Sequence, residues 1–358
     1  MNDRLKYFRS KIDAIDEKVV KLLTDRAKCA LKIVKLKQSK SAPIYHPSRE
    51  NDILSKISKL NQGPLSSDSL KNIYKEIFSA TRAVEQNLIV SSLGPAGAFS
   101  HIAAMNLFGQ SVTHKLQHSF NDIFSEVQNG NANYGVVPIE NSIEGSVGET
   151  FRLLERSNLF IYAEYDLPIT LHLLSRAKDL SAVKKVYSHS MPLAQSRNWL
   201  QKELPNVKIE ESSSTTAAAQ IASKDSTAAA IASASAASIY NLGLLAKNIE
   251  NNPDNRTRFF VIANHPSPKC KDSKSSIVVK VSDKPKALYN LLAPFSKEQI
   301  NLSKIESRPA LTNRWEYFFF IDFEGHLSEK KVKSALTSIN KHANSLKFLG
   351  SYPKVTKL

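Results

Sequence analysis

No glycine or proline interrupts the chain before Pro43. Through that stretch apolar residues recur at alternating three- and four-residue steps. Leu5, Phe8, Ile12, Ile15, Val19 and Leu22 form the seam, and Cys29, Ile33 and Leu36 continue it. This spacing lays one apolar stripe along a single helix. At 1.5 Å per residue the helix would be about 50 Å long, too long to be stable alone in water, so it must lie against partners. Beyond Pro43 and Pro47 two more helices are predicted. One runs from about Arg49 to Leu60, and the other starts near Ser67 and sets Leu70, Ile73, Ile77, Ala80 and Val84 on one face. Three helices of such unequal length close poorly as a monomer. Residues 1–90 therefore predict an all-α segment that forms a homodimer or a higher homo-oligomer.

Residues 91–265 alternate short apolar runs with helical stretches, an α/β pattern. "LIVSSLG" and "YGVVPIE" read as buried strands that end where loops begin. The Ser-, Ala- and Thr-rich stretch from Ser212 to Ser238 keeps apolar spacing, so its small residues predict closely packed helices flanking the strand "AAAIAS". The polar run "NHPSPKCKDSKSS" reads as a linker. After it, residues 275–358 predict strand (Ser276–Val281), helix (Pro285–Phe295), strand (around Ile305), strand (Tyr317–Phe323), helix (Glu329–Ala343) and strand (Leu346–Tyr352). That βαββαβ order is the α+β ferredoxin-like plan.

Charge and cysteine usage narrow the function classes. Lys and Arg number 49 against 33 Asp and Glu, a formal charge of +16. The basic residues are spread along the chain with no nucleic-acid motif, which points to small anions rather than nucleic acid. The two cysteines, Cys29 and Cys270, form no CxxC, and no HExxH occurs. Neither a disulfide framework nor a metal site is expected, in keeping with a reducing cytosol. No apolar run reaches the ~18 residues of a membrane helix, and the charged N-terminus lacks a secretory core. A cytoplasmic protein without membrane contact is the expectation.

Arg26 falls beside the seam of the first helix, and Lys37, eleven residues on, lies about 20° around a 3.6-residue helix from it. "YHPSRE" then brings Arg49 and Glu50, and Thr81 and Glu85 share one face of the third helix. Together these suggest an anion pocket. The segments "FRSKIDAIDEKVVKLLTDRAKCALKIVKLK", "YHPSRE" and "IFSATRAVEQ" resemble the all-helical chorismate mutases over residues 1–90. That resemblance implies that Arg9, Arg26, Lys37 and Arg49 bind the carboxylates and ether oxygen of chorismate. It also implies that Glu50 holds the substrate hydroxyl, that Thr81 and Glu85 close the pocket, and that Arg9 reaches in from a partner chain. Arg9 lies about 100° off the face of Arg26 in its own helix, which agrees. His46 stands where some relatives carry Asp. A pericyclic rearrangement needs its enolpyruvyl arm held over the ring, worth ~7–11 kcal/mol in favourable cases, and positive charge on the breaking ether oxygen. Glu85 must be protonated to donate to that oxygen, so mutase activity is expected to fall as pH rises through its titration.

In the middle segment, "GPAGAFSHIAA" follows a strand and opens a helix, and "VVPIENS" carries Asn141 and Ser142 to the carboxyl end of a strand, where α/β proteins bind ligands. "YSHSMPLAQ" sets Ser188 at a helix start with Gln195 two turns in, and "NRTRFFVI" puts Thr257 just ahead of an apolar strand. As an ordered set, with Ser214, Thr215 and Ala218 of "STxxA", these motifs resemble prephenate dehydratase over about 175 residues. The resemblance implies two α/β lobes around a cleft, like a periplasmic binding protein. Thr257 would protonate the ring hydroxyl of prephenate as it leaves, and Asn141, Ser188 and Gln195, with Thr215 and Ser100 nearby, would orient the substrate. Threonine is a weak general acid unless a partner supports it, and the sequence does not identify that partner. Ala96 and Ala98 depart from the usual residues of the first motif. No cofactor is implied.

Residues 275–358 resemble the ACT regulatory domain, with "IESRP" (Ile305–Pro309) as its effector signature. That resemblance implies phenylalanine feedback, with Ala287, Leu288, Glu306, Ser307, Arg308 and Pro309 at the effector site. The usual Gly-Ala-Leu reads Lys286-Ala287-Leu288 in this chain. The three-part order resembles the bifunctional chorismate mutase/prephenate dehydratases over essentially the whole chain. Two other readings, a ligand-binding protein that transforms nothing and a nucleic-acid-binding regulator, lack an export signal and a basic recognition element respectively.

Overall fold

The computed structural model describes residues 2–36, 43–282, 284–309 and 317–354. The backbone divides into two compact units, Met1–Leu88 with Asn106–Thr113, and Ile89–Met105 with His114–Leu358.

The first unit holds α1 (Asn2–Leu36), α2 (Pro47–Leu60) and α3 (Ser67–Glu85). Pro47 opens α2 at a position where a missing N–H costs nothing. Ser66 caps α3 by accepting from the Ser69 N–H at 3.1 Å. Both α1 and α2 pack on α3. The seam of α1 has no such cover: Leu5, Phe8, Ile12, Ile15, Val19 and Leu22 are all exposed, Leu22 at 69%.

Apart from Asn106–Phe108 and Thr113, which group with the first unit, the second begins with β1 (Ile89–Leu93), α4 (Phe99–Phe108), β2 (Thr113–Gln117), α5 (Phe120–Gln128), β3 (Tyr134–Asn141), β4 (Gly145–Ser146), α6 (Gly148–Arg156) and β5 (Phe160–Pro168). A second lobe follows with β6 (His172–Ser175), β7 (Lys185–Ser188), α7 (Ser190–Gln195), α8 (Arg197–Glu203), β8 (Lys208–Glu211), α9 (Thr215–Ala222), β9 (Ala228–Ala232), α10 (Ala234–Ile239) and β10 (Gly243–Ala246). Then β11 (Arg256–Ala263) returns to the first sheet, whose order is β2-β1-β3-β11-β5, while the second sheet runs β10-β6-β9-β7-β8. The chain thus crosses between two sheets twice, which makes two lobes. The small residues expected to pack closely do so. Ala218, Ala219 and Ala222 of α9 and Ala228, Ala230 and Ala232 of β9 are fully buried in one core.

The last elements are β12 (Ser273–Val281), α11 (Ala287–Lys297), β13 (Leu302–Pro309), β14 (Tyr317–Glu324), α12 (Lys330–Asn340) and β15 (Ser345–Pro353), in the sheet order β13-β14-β12-β15. One face of this sheet buries Ile277, Val279, Ile321 and Phe323 beneath α11 and α12. The other face places Val278, Phe318, Phe320, Leu349 and Tyr352 in a core shared with Phe151, Phe260 and Ile262 of the first lobe. Gly350 makes the closest approach. A Cβ there would stand 2.3 Å from the Ile161 carbonyl oxygen, at φ +147°, so only glycine lets β15 lie on β5.

One expectation is corrected. Ser273–Ser275, read by composition as linker, belong to β12, which starts three residues before Ser276. Their polarity is satisfied inside the protein. Ser275 and Ser351 share a hydrogen bond of 2.7 Å, and Lys274 reaches Glu164 at 3.2 Å. Buried polar groups are tolerated when partnered in this way.

Candidate active sites and effector face

Three helices of the first unit and the segment before α2 line an open cavity of about 910 Å³, bordered by Arg26, Arg49, Glu50, Thr81, Arg82 and Glu85 among apolar residues that include Ile33, Ile53 and Phe78. Arg26 donates to Thr81 Oγ1 at 2.8 Å, and Thr81 in turn donates to the Ile77 carbonyl at 2.7 Å. These bonds hold one cation in place without neutralising it. Arg9 is exposed on α1 and is not among the lining residues. Lys37 lies outside the described residues. His46 does line the cavity.

Sequence reasoning missed Arg82. It is 3% exposed and pairs with Glu50. It also donates to the Phe108 carbonyl at 2.8 Å and lies over the Tyr45 ring at 5.4 Å. Burial raises the Glu50 carboxyl above its ordinary pKa, while Arg82 and then Arg26 pull it down and Glu85 pushes it up. Only its position beside Thr81, within a helix that buries Phe78 and Ser79, hinted at Arg82.

In the second unit, Asn141 ends β3 directly opposite Thr257 on β11. Asn141 Nδ2 donates to Thr257 Oγ1 at 2.9 Å and to Asn255 Oδ1 at 2.9 Å. Its Oδ1 accepts from the N–H groups of Ile143 and Glu144 at 2.9 and 3.0 Å, so the amide orientation is determined. Asn255 donates to Gln195 Oε1 at 3.1 Å. Asn141, bonded directly to Thr257, is therefore joined to Gln195 through Asn255, which lies two residues before Thr257 and was not singled out from the sequence. Ser188 is fully buried at the end of β7 and donates to the Ile231 carbonyl at 2.7 Å. It sits on the strand rather than at a helix start, because α7 opens only after His189. Thr215 opens α9, whose cap is Ser214, and Ser100 is buried in the first turn of α4. Among the described residues no group of three or more His, Cys, Asp or Glu is placed to hold a metal ion.

On β13 the side chains alternate. Ser307 pairs with Phe319, which like Ala287 packs against the core on the face that carries the helices. Glu306 and Arg308 turn to the first lobe: Ser146 donates to Glu306 at 2.8 Å, and Arg308 lies 5.9 Å from the Phe151 ring. Pro309 is exposed, as is Leu288. Lys286 precedes α11 at φ +68°, in the left-handed region. A side chain there costs about 1–2 kcal/mol, which explains a glycine preference independently of any ligand. Lys286→Gly is expected to stabilise the chain by about 1 kcal/mol, read as a rise of about 2–4 °C in the unfolding midpoint. A lower midpoint would refute that account.

Three family models match the chain in succession. Chorismate mutase type II matches residues 8–86, prephenate dehydratase 90–267 and the ACT domain 275–340. The chain is 45% identical over 356 residues to the bifunctional chorismate mutase/prephenate dehydratase of Aquifex aeolicus, covering 98% of each. It is 41% identical over 358 residues to that of Pseudomonas aeruginosa, again covering 98% of each. A crystal structure of prephenate dehydratase in complex with L-Phe, from Arthrobacter aurescens, superposes with a TM-score of 0.70 at 34% identity, spanning 75% of this chain and 90% of that one. With all three domains matched in order and full-length relatives above 40% identity, the chain belongs to the family of bifunctional chorismate mutase/prephenate dehydratases.

Proposed function

We propose that the Arg26–Arg49 cavity rearranges chorismate to prephenate and that the Asn141–Thr257 pair serves the conversion of prephenate to phenylpyruvate, with loss of water and CO2. Phenylalanine acts on the terminal domain as feedback inhibitor. The observation that carries this reading is the gathering of Arg26, Arg49, Glu50, Thr81 and Glu85, from three helices, around one cavity. Fixed cations there would bind a dicarboxylate and stabilise charge on the breaking ether oxygen without reorganisation. Glu50 already accepts from Arg82, and a carboxylate with about four lone-pair sites keeps capacity for a substrate hydroxyl.

In the cleft, Thr257 accepts from Asn141. A hydroxyl with its lone pair so engaged still has its O–H to donate, which suits delivery of a proton to the departing ring hydroxyl. The exposed seam of α1 supports a homodimer in which a second copy covers that stripe and supplies Arg9. Among the described residues no helix is long and apolar enough to cross a membrane, and a cytoplasmic location suits the reading.

The test is a time course on the purified chain given chorismate, with and without phenylalanine, resolving chorismate, prephenate and phenylpyruvate. Phenylpyruvate should form and should diminish when phenylalanine is present. Prephenate accumulating alone would remove the role given to Thr257, and untouched chorismate would remove that of the helical cavity.

A further inference from the structure

Next to the rung that pairs Asn141 with Thr257, β3 and β11 pair Glu140 with Arg258. Successive strand residues face opposite sides of a sheet. Behind the pair proposed for chemistry, Glu140 and Arg258 therefore emerge toward the terminal sheet. There β13 and β14 present a rung of their own, Lys304 opposite Asp322. The two rungs are cross-linked at both ends. Lys304 Nζ meets Glu140 at 2.7 Å, and Arg258 Nη1 meets Asp322 at 2.7 Å. Three of the four charges are sheltered from solvent: the side chains of Lys304, Arg258 and Asp322 are 10%, 16% and 0% exposed, while Glu140 is 37% exposed at the outer end. Each post is also anchored sideways. Lys304 donates to Ser146 at 3.2 Å and lies 3.7 Å from Glu306, while Arg258 donates to Glu164 at 2.8 Å.

We propose that this bracket of Glu140–Lys304 and Arg258–Asp322 is a positioning device. It sets the geometry of the Asn141–Thr257 pair and conveys to it what binds at β13. The inference rests on the reading above, in which the cleft is the dehydratase site and the terminal domain is the phenylalanine site. Its physical basis is rigidity. A strand cannot shift Glu140 without shifting Asn141, and misplacement of a catalytic group by about 1 Å can cost on the order of 100-fold in rate. It also gives Glu306 and Arg308 a task. They lie on the same strand face as Lys304 and touch Ser146 and Phe151, so the signature strand addresses the active lobe through these side chains.

The test measures dehydratase kcat/KM on prephenate, with and without phenylalanine, alongside calorimetric phenylalanine binding and the chorismate mutase rate of the same preparations. In the wild-type chain phenylalanine should lower dehydratase kcat/KM by about tenfold or more, an ordinary coupling. In Lys304→Met that factor should fall to about twofold or less while phenylalanine still binds within about threefold of wild type. Lys304→Arg should restore the coupling, and Glu140→Gln should reproduce the loss from the other side of the bridge. If phenylalanine inhibits Lys304→Met as strongly as wild type, the bracket conveys nothing and the proposal falls. If Lys304→Met no longer binds phenylalanine, Lys304 belongs to the effector pocket, and the proposal falls on that ground. A wild-type chain that binds phenylalanine without inhibition would instead overturn the feedback reading, and the bracket's regulatory role with it.

Discussion

Thr257→Val will lower prephenate dehydratase turnover by about 10²–10⁴-fold, the range for removing a positioned proton donor, while the chorismate mutase rate of the same protein stays within about twofold. Valine keeps the shape and β-branching that suit a strand position, so β11 should hold its register between β3 and β5. What goes is one hydroxyl, with the hydrogen bond it accepts from Asn141. Prephenate should therefore accumulate from chorismate without passing on. Thr257→Ser, which keeps the hydroxyl, should recover most of the activity. Retention of dehydratase turnover in Thr257→Val within about threefold would remove Thr257 from the chemistry and move the search for the acid to its neighbours.

The structure also gives Thr257 a hydrogen-bond partner, Asn141, that local sequence could not. Asn141 was legible as a strand-end residue and Thr257 as a residue at the head of a strand, but their pairing joins positions 116 apart. Periodicity reports only what a residue does within its own element. That suffices for α1, where the three-four spacing of Leu5 to Leu36 maps onto one 35-residue helix, and for the βαββαβ order of the terminal domain. It fails wherever a distant group satisfies a polar side chain. Ser275 looks like linker until Ser351, 76 residues away, shares a hydrogen bond with its hydroxyl. Lys304 and Asp322 look like solvated charges until Glu140 and Arg258 arrive from the first lobe. Arg82 is the same case in the helical unit, since its partners Glu50 and Phe108 come from α2 and from the Asn106–Thr113 segment.

Arg82→Met should destabilise the helical unit by about 3–5 kcal/mol, the cost of stranding one member of a buried ion pair. The guanidinium leaves behind the Glu50 carboxyl and the Phe108 carbonyl that it served, and its place over the Tyr45 ring. The effect on chemistry has a defined sign. Burial already holds the Glu50 carboxyl above its ordinary pKa against the pull of Arg82. Removing that pull raises it further, and the carboxylate form, the better acceptor for a substrate hydroxyl, then appears only at higher pH. The mutase kcat/KM of Arg82→Met should accordingly be most depressed at acidic pH and recover part of its loss as pH rises. Stability runs the other way. A carboxyl whose folded pKa lies above its unfolded one favours folding most below the unfolded value, and that contribution is lost as pH rises through the folded value. The double variant Arg82→Met/Glu50→Gln separates support from chemistry. Removing both charges should return much of the lost stability, because the remaining penalty was an unpaired buried carboxylate. It should not return the mutase rate, since the neutral amide introduced in place of Glu50 is a weaker acceptor than a carboxylate. Equal recovery of stability and rate would show that Glu50 serves the fold alone.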